Sequence, residues 1–131
     1  LSDKKGTQTM DNPSILIVED DADVAELYSR VLAPSGLSVE IIRTGEAALA
    51  RLAATVPDFV VLDLNLPPQV SGSDVFHHIR SDPRLAATRV IVVTGHPDLA
   101  DSLRDRADLV LIKPVDVNQI SDFVMRLRPS H

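Results

Sequence analysis

The sequence predicts an α/β fold, a single doubly wound five-stranded parallel sheet with helices on both faces. Three observations lead there. Short β-branched runs recur at Ile15-Leu16-Ile17-Val18, Val39-Glu40-Ile41-Ile42, Phe59-Val60-Val61-Leu62, Val90-Ile91-Val92-Val93 and Leu109-Val110-Leu111-Ile112. All but the second are continuously apolar, which is the pattern of a strand covered on both faces. Helical patterns separate the runs, and strand-helix alternation specifies parallel pairing because each right-handed crossover needs a covering element.

The elements follow in order. Residues Leu1 to Pro13 are polar with almost nothing to bury, so 1–13 reads as a flexible N-terminal arm outside the fold. After the first strand, Val24, Leu27, Tyr28, Val31 and Leu32 recur at the spacing of one helix face across Ala22 to Leu32, and Pro34 and Gly36 stop that helix. Thr44 is placed to cap a second helix, Gly45 to Ala54, built on the good formers Ala47, Ala48, Leu49 and Leu52. Val75, Phe76 and Ile79 mark a third helix. Pro97 to Arg106 offers only Leu99, Ala100 and Leu103 as an apolar face, so its helix is expected to be short. Ile120, Phe123, Val124 and Leu127 mark the last. The folded domain is expected over 14–128, with a tail at 129–131 and no internal repeat.

The chain of 131 residues carries 13 Lys plus Arg against 19 Asp plus Glu, a formal charge of −6. Its length suits one domain. With 44% hydrophobic and 24% charged residues it has material for an ordinary core, which argues against disorder. The acidic balance disfavours direct binding of nucleic acid or an anionic membrane, since both need surplus Lys and Arg. The absence of cysteine removes disulfides, thiolate metal sites and thiol nucleophiles together. Apolar runs are strand-length, against the roughly 20 residues a membrane span needs.

In open parallel sheets, ligands bind off the carboxyl ends of the strands. There the sequence reads Glu19-Asp20-Asp21, Asp63-Leu64-Asn65, Thr94-Gly95 and Lys113-Pro114. If the sheet sets these strands side by side, carboxylates, a hydroxyl and an ammonium converge. Clustered, partly buried carboxylates cost several kcal/mol unless neutralised, and an oxygen-only donor set points to Mg2+. The hydroxyl and ammonium suit phosphoryl oxygens. An Asp facing such a cation can accept phosphoryl as an acyl phosphate.

This pattern resembles the receiver domain of two-component response regulators, the chemotaxis-type flavodoxin-like fold, over Ser14 to about Leu127. The resemblance implies strand order 2-1-3-4-5. It implies that Glu19 and Asp20 are the acidic pair at the metal, that Asp63 is the phosphoacceptor and also a metal ligand, and that Asn65 offers its backbone carbonyl to the ion. Thr94 matches the residue whose hydroxyl binds phosphoryl. Lys113 matches the characteristic lysine, and its bond to Pro114 is expected to be cis. Asn65 and His96, two positions after Asp63 and Thr94, are candidates for tuning the lifetime of the phosphorylated state. The implied partner is a sensor histidine kinase or phosphotransfer protein, with a homodimer as a further partner class, in the cytoplasm. The implied activity is self-modification rather than turnover.

Plainer readings exist for each residue. Asp20 or Asp21 can cap the first helix, Asp63 can be a turn residue before Pro67, and Lys113 a solvated cation. His77 and His78, adjacent on a helix, point apart and read as a solvated pair. Joint placement at successive strand ends is what these readings leave unexplained. The sequence also departs from the receiver pattern. Gly72 falls about one residue late after Asp63, Thr94 to Lys113 is about three residues short, and Val115 replaces a common Phe. The switch position three before Lys113, usually aromatic, is Val110, too short and stiff to swing between two rotamers as a ring does. A receiver-like scaffold working without phosphorylation is the competing class. A haloacid-dehalogenase-type phosphatase is disfavoured because Asn65 stands where that chemistry needs Asp. A stand-alone regulator and a receiver within a longer protein both fit.

Overall fold

Each apolar run becomes a strand, and the computed structural model, which describes residues 13–129, pairs them as the pattern requires. The expected arm and tail lie, apart from Pro13 and Pro129, outside the described residues. The strands β1 (Ser14–Val18), β2 (Ser38–Ile42), β3 (Phe59–Asp63), β4 (Arg89–Thr94) and β5 (Leu109–Ile112) form one parallel sheet in the order β2-β1-β3-β4-β5. The helices are α1 (Ala22–Leu32), α2 (Gly45–Ala54), α3 (Gly72–Ser81), α4 (Pro97–Leu103) and α5 (Val117–Leu127).

Strand side chains alternate between faces, and two separate cores result. Leu16, Val18, Val60, Leu62, Val90 and Val92 pack with Ala48, Leu52, Phe76 and Ile79 of α2 and α3. Ile15, Ile17, Phe59, Val61, Ile91 and Val93 pack with Tyr28 and Leu32 of α1 and Ile120, Phe123 and Val124 of α5. Continuous apolar runs were required because both faces are covered.

Helix ends follow the local chemistry. Asp21 caps α1 by accepting from the Asp23 and Val24 amides, and Thr44 caps α2 through the Ala47 amide. Ser71 and Asp74 form a reciprocal capping box on α3. Gly36 takes φ 80°, a left-handed turn that ends the short 3-10 segment Ala33–Ser35 after α1. As expected, the segment after β4 yields a short helix, seven residues in α4, and Lys113-Pro114 is cis.

The fifth run needs correction. Read as covered on both faces, β5 is half-buried, with Ile112 38% exposed. It is one of the two edge strands, and the seven-residue α4 is too short to roof it.

Candidate functional site

Register alone brings the acidic residues together. Val18 pairs with Leu62, so the next residues, Glu19 and Asp63, stand side by side at the carboxyl edge of the sheet. Both continue the strand rows that face α1 and α5. Lys113 continues the Leu109–Leu111 row of that face from two strands away, roughly 10 Å at ordinary strand spacing, and its stem spans the gap. Lys113 Nζ donates to Asp63 Oδ2 at 2.9 Å.

Glu19 and Asp63 are each 2% exposed, whereas Asp20 is exposed. Carboxylate oxygens of Glu19, Asp20 and Asp63 lie within 4.8 Å of one another. Asp63 Oδ1 accepts from the Asn65 amide at 2.8 Å, and Glu19 Oε2 from the Asp21 amide at 3.0 Å. Glu19 Oε1 is buried and has no hydrogen-bond partner. Burial, and then the neighbouring Asp63 carboxylate, push the Glu19 pKa up to about 8. An orphaned buried carboxylate oxygen in an oxygen-only cluster is the donor set a hard divalent cation satisfies, so these residues fit Mg2+. Asp21 lies outside the cluster and instead caps α1.

Asn65 and Lys113 line the same cleft of about 540 Å³ as the three carboxylates, together with the apolar lip Leu27 and Val115. Thr94 and His96 do not line it. Thr94 continues the opposite strand row, is 1% exposed, and its Oγ1 accepts from the His96 amide at 3.1 Å. His96 is exposed and stands at the N-cap position of α4. His77 and His78 are exposed on α3, away from the cluster, as expected of a solvated pair. Val110 is partly buried against the α2 and α3 core.

Two participants carried no sequence signal. Tyr28 read only as part of an apolar helix stripe, yet it lines the cleft, and burial followed by the charges of Glu19 and Asp63 pushes its pKa up to about 12. Arg43 belongs to no motif. Its Nε and Nη2 donate to the Asp20 carbonyl at 3.1 and 2.6 Å.

Residues 15–125 match the response regulator receiver domain family. Luminescence regulatory protein LuxO of Vibrio campbellii is 34% identical over 108 residues, covering 79% of this chain and 23% of LuxO. The DNA-binding response regulator MtrA of Mycolicibacterium paratuberculosis is 35% identical over 100 residues, covering 76% of this chain and 44% of MtrA. The chain thus spans less than half the length of these relatives. Among solved structures, the CheY-like response regulator receiver domain from Methylobacillus flagellatus superposes with TM-score 0.76 at 27% identity, over 88% of this chain and 98% of that one.

Proposed function

Because the chain belongs to the response regulator receiver domain family, we propose that Asp63 accepts phosphoryl from a phosphohistidine on a sensor histidine kinase or phosphotransfer protein, and that the phosphorylated domain switches a partner or output. One observation carries the reading: a buried acid, Asp63, holds a lysine ammonium at 2.9 Å while two further carboxylates stand within 4.8 Å. A structural ion pair needs one carboxylate. The additional buried acid, Glu19, is a cost that phosphoryl chemistry with a cation explains.

Mg2+ held by Glu19, Asp20 and Asp63, with the Asn65 carbonyl, would supply charge neutralisation for the pocket and for phosphoryl oxygens. Asp63 is held by its contacts with Lys113 and the Asn65 amide, which aim its carboxylate. An Asp63 oxygen forms the bond to phosphorus as the phosphorus–nitrogen bond of the donor breaks, and the electron pair of that bond leaves with the imidazole. Lys113 then follows the charge from the carboxylate to a phosphoryl oxygen. Thr94 turns its hydroxyl toward the phosphoryl group to donate to it, and because its Oγ1 accepts from the His96 amide that rotation pulls on the loop between β4 and α4. With Val110 unable to swing as a ring would, output travels by Thr94 and displacement of that loop or by another element. Asn65 and His96 tune the access of water to the acyl phosphate. The domain catalyses only its own phosphorylation and dephosphorylation. Among the described residues no helix is long and apolar enough to cross a membrane, and a histidine-kinase partner suits a cytoplasmic setting.

The short α4 and Val110 favour one second reading, a scaffold working without phosphorylation. Mass spectrometry after incubation with Mg2+ and acetyl phosphate separates the two. A covalent phosphate on the wild type and none on Asp63→Asn is expected. Phosphate on neither supports the scaffold, and phosphate on both moves the acceptor away from Asp63.

A further inference from the structure

We propose that Arg43 is a positioning residue for Asp20, clamping the backbone of that exposed carboxylate so that the acidic pocket is preformed for Mg2+. This rests on the metal reading above and extends it to a residue outside the acidic cluster.

The link between β1 and α1 is Glu19–Asp21, and its two outer residues are held by the fold. The Glu19 amide donates to the Ile42 carbonyl at 3.0 Å, extending the β1–β2 ladder, and its carboxylate holds the Asp21 amide. Asp21 caps α1 and its carbonyl accepts from the Ala25 amide at 2.9 Å. Asp20, between them, is exposed. Among the described residues its carbonyl receives hydrogen bonds from Arg43 alone, with Nε and Nη2 of the guanidinium converging on one oxygen. Arg43 is itself well anchored. It follows Ile42, which pairs with Val18, and it precedes Thr44, the cap of α2. The clamp therefore joins the metal-site loop to a rigid neighbouring turn.

Two consequences of this contact oppose each other. Fixing the Asp20 backbone leaves less conformational freedom to lose when the ion binds, which tightens binding. A guanidinium close to a cation site repels the ion, which weakens binding, although exposure and salt screen that repulsion. If positioning dominates, removing Arg43 weakens Mg2+ binding; if charge dominates, removal tightens it.

The test is a Mg2+ titration of the whole chain, wild type against Arg43→Ala and Arg43→Lys, by isothermal calorimetry and by fluorescence of Tyr28, the single tyrosine in a chain without tryptophan. Expected for Arg43→Ala is a Kd raised about 3- to 10-fold, at or below the low end of the roughly 10- to 100-fold range for groups bonded directly to metal ligands, because Arg43 holds the backbone and not the carboxylate of Asp20, with the melting temperature in EDTA nearly unchanged. Arg43→Lys, which keeps the charge with a single donor group, should fall between. In an Asp20→Ala background the Arg43→Ala effect should disappear. A Kd unchanged or tightened in Arg43→Ala, or an equal loss without Asp20, overturns the inference alone. A wild type that does not respond to Mg2+ overturns the metal reading and this inference with it.

Discussion

Glu19 is withdrawn from water beside a second carboxylate, and its pKa, pushed from 4.5 up to about 8, makes metal-free stability depend on pH. The folded state holds this proton more tightly than the unfolded chain does. The stabilisation is therefore fully present below about pH 4.5 and is lost as pH rises through about 8. Melting temperatures in EDTA should fall from pH 5 to pH 8, and Glu19→Gln, which keeps the neutral shape, should flatten that part of the slope. Equal slopes in both proteins would remove Glu19 as the cause. Mg2+ requires the ionised form, so its affinity should rise over the same window and binding near pH 7 should release protons. Asn65 and His96 give a second test at this scale. Phosphoryl loss over time from Asn65→Ala and His96→Ala should differ from wild type in at least one variant, and unchanged decay in both would end the tuning role. Glu19, Asp63 and Lys113 were legible because each directly follows an apolar run whose register is fixed by burial. Tyr28 and Arg43 were not. A phenol on a helix stripe looks like any core residue, and an arginine bound to a distant carbonyl leaves no spacing pattern.

Among the elements, the connection from β3 to α3 shows how the fold absorbs a departure from the family pattern. The residues after Asp63 contain Pro67 and Pro68, and the surplus is taken up by a 3-10 turn at Pro68–Val70. That turn lies on Gly45 at the start of α2. A Cβ at Gly45 would collide with the Val70 carbonyl oxygen and come within 2.8 Å of Val70 Cγ1. One at Gly72 would meet the Leu64 Cα and lie 2.6 Å from the Asp63 carbonyl oxygen. Alanine in a helix gains at most about 1 kcal/mol over glycine, whereas forcing backbone apart costs about 1–3 kcal/mol. Gly45→Ala and Gly72→Ala should each lose about 1–2 kcal/mol net in urea unfolding, with Gly72→Ala also slowing phosphorylation because it displaces the backbone of Asp63, the proposed acceptor. Gly95, with nothing within 4 Å of its Cβ position, is the control, and Gly95→Ala should stay within about 0.5 kcal/mol. Equal stabilities for all three would remove the close-packed loop. The shortness of α4 was legible from its sparse apolar face. How the chain beyond it is held was not: Arg80 donates to the Arg106 and Thr88 carbonyls and pairs with Asp108. These contacts join residues far apart in sequence and depend on side-chain reach rather than on periodicity.

At the scale of the whole molecule, the net charge of −6 is distributed unevenly, because three carboxylates are brought to one edge of the sheet while the two cores contain almost none. The layering was legible, since a run apolar at every position leaves no face for water. The strand order was legible only through the family resemblance, because periodicity cannot say which strands are neighbours. Concentrated charge makes the response to ions specific. Any salt screens the general repulsion weakly, but a cation that binds only the folded pocket stabilises by mass action. At ten times its Kd, Mg2+ should add about 1.4 kcal/mol, equivalent to about 5 °C in melting temperature for a domain of this size. Sodium chloride at matched ionic strength should produce a smaller and non-saturating rise. In Asp20→Ala/Asp63→Asn, which removes two of the three carboxylates, the saturating Mg2+ response should vanish while the sodium response persists. If the double variant kept the full Mg2+ shift, the ion would be acting on the overall charge, and the edge of the sheet would lose its claim to a metal site.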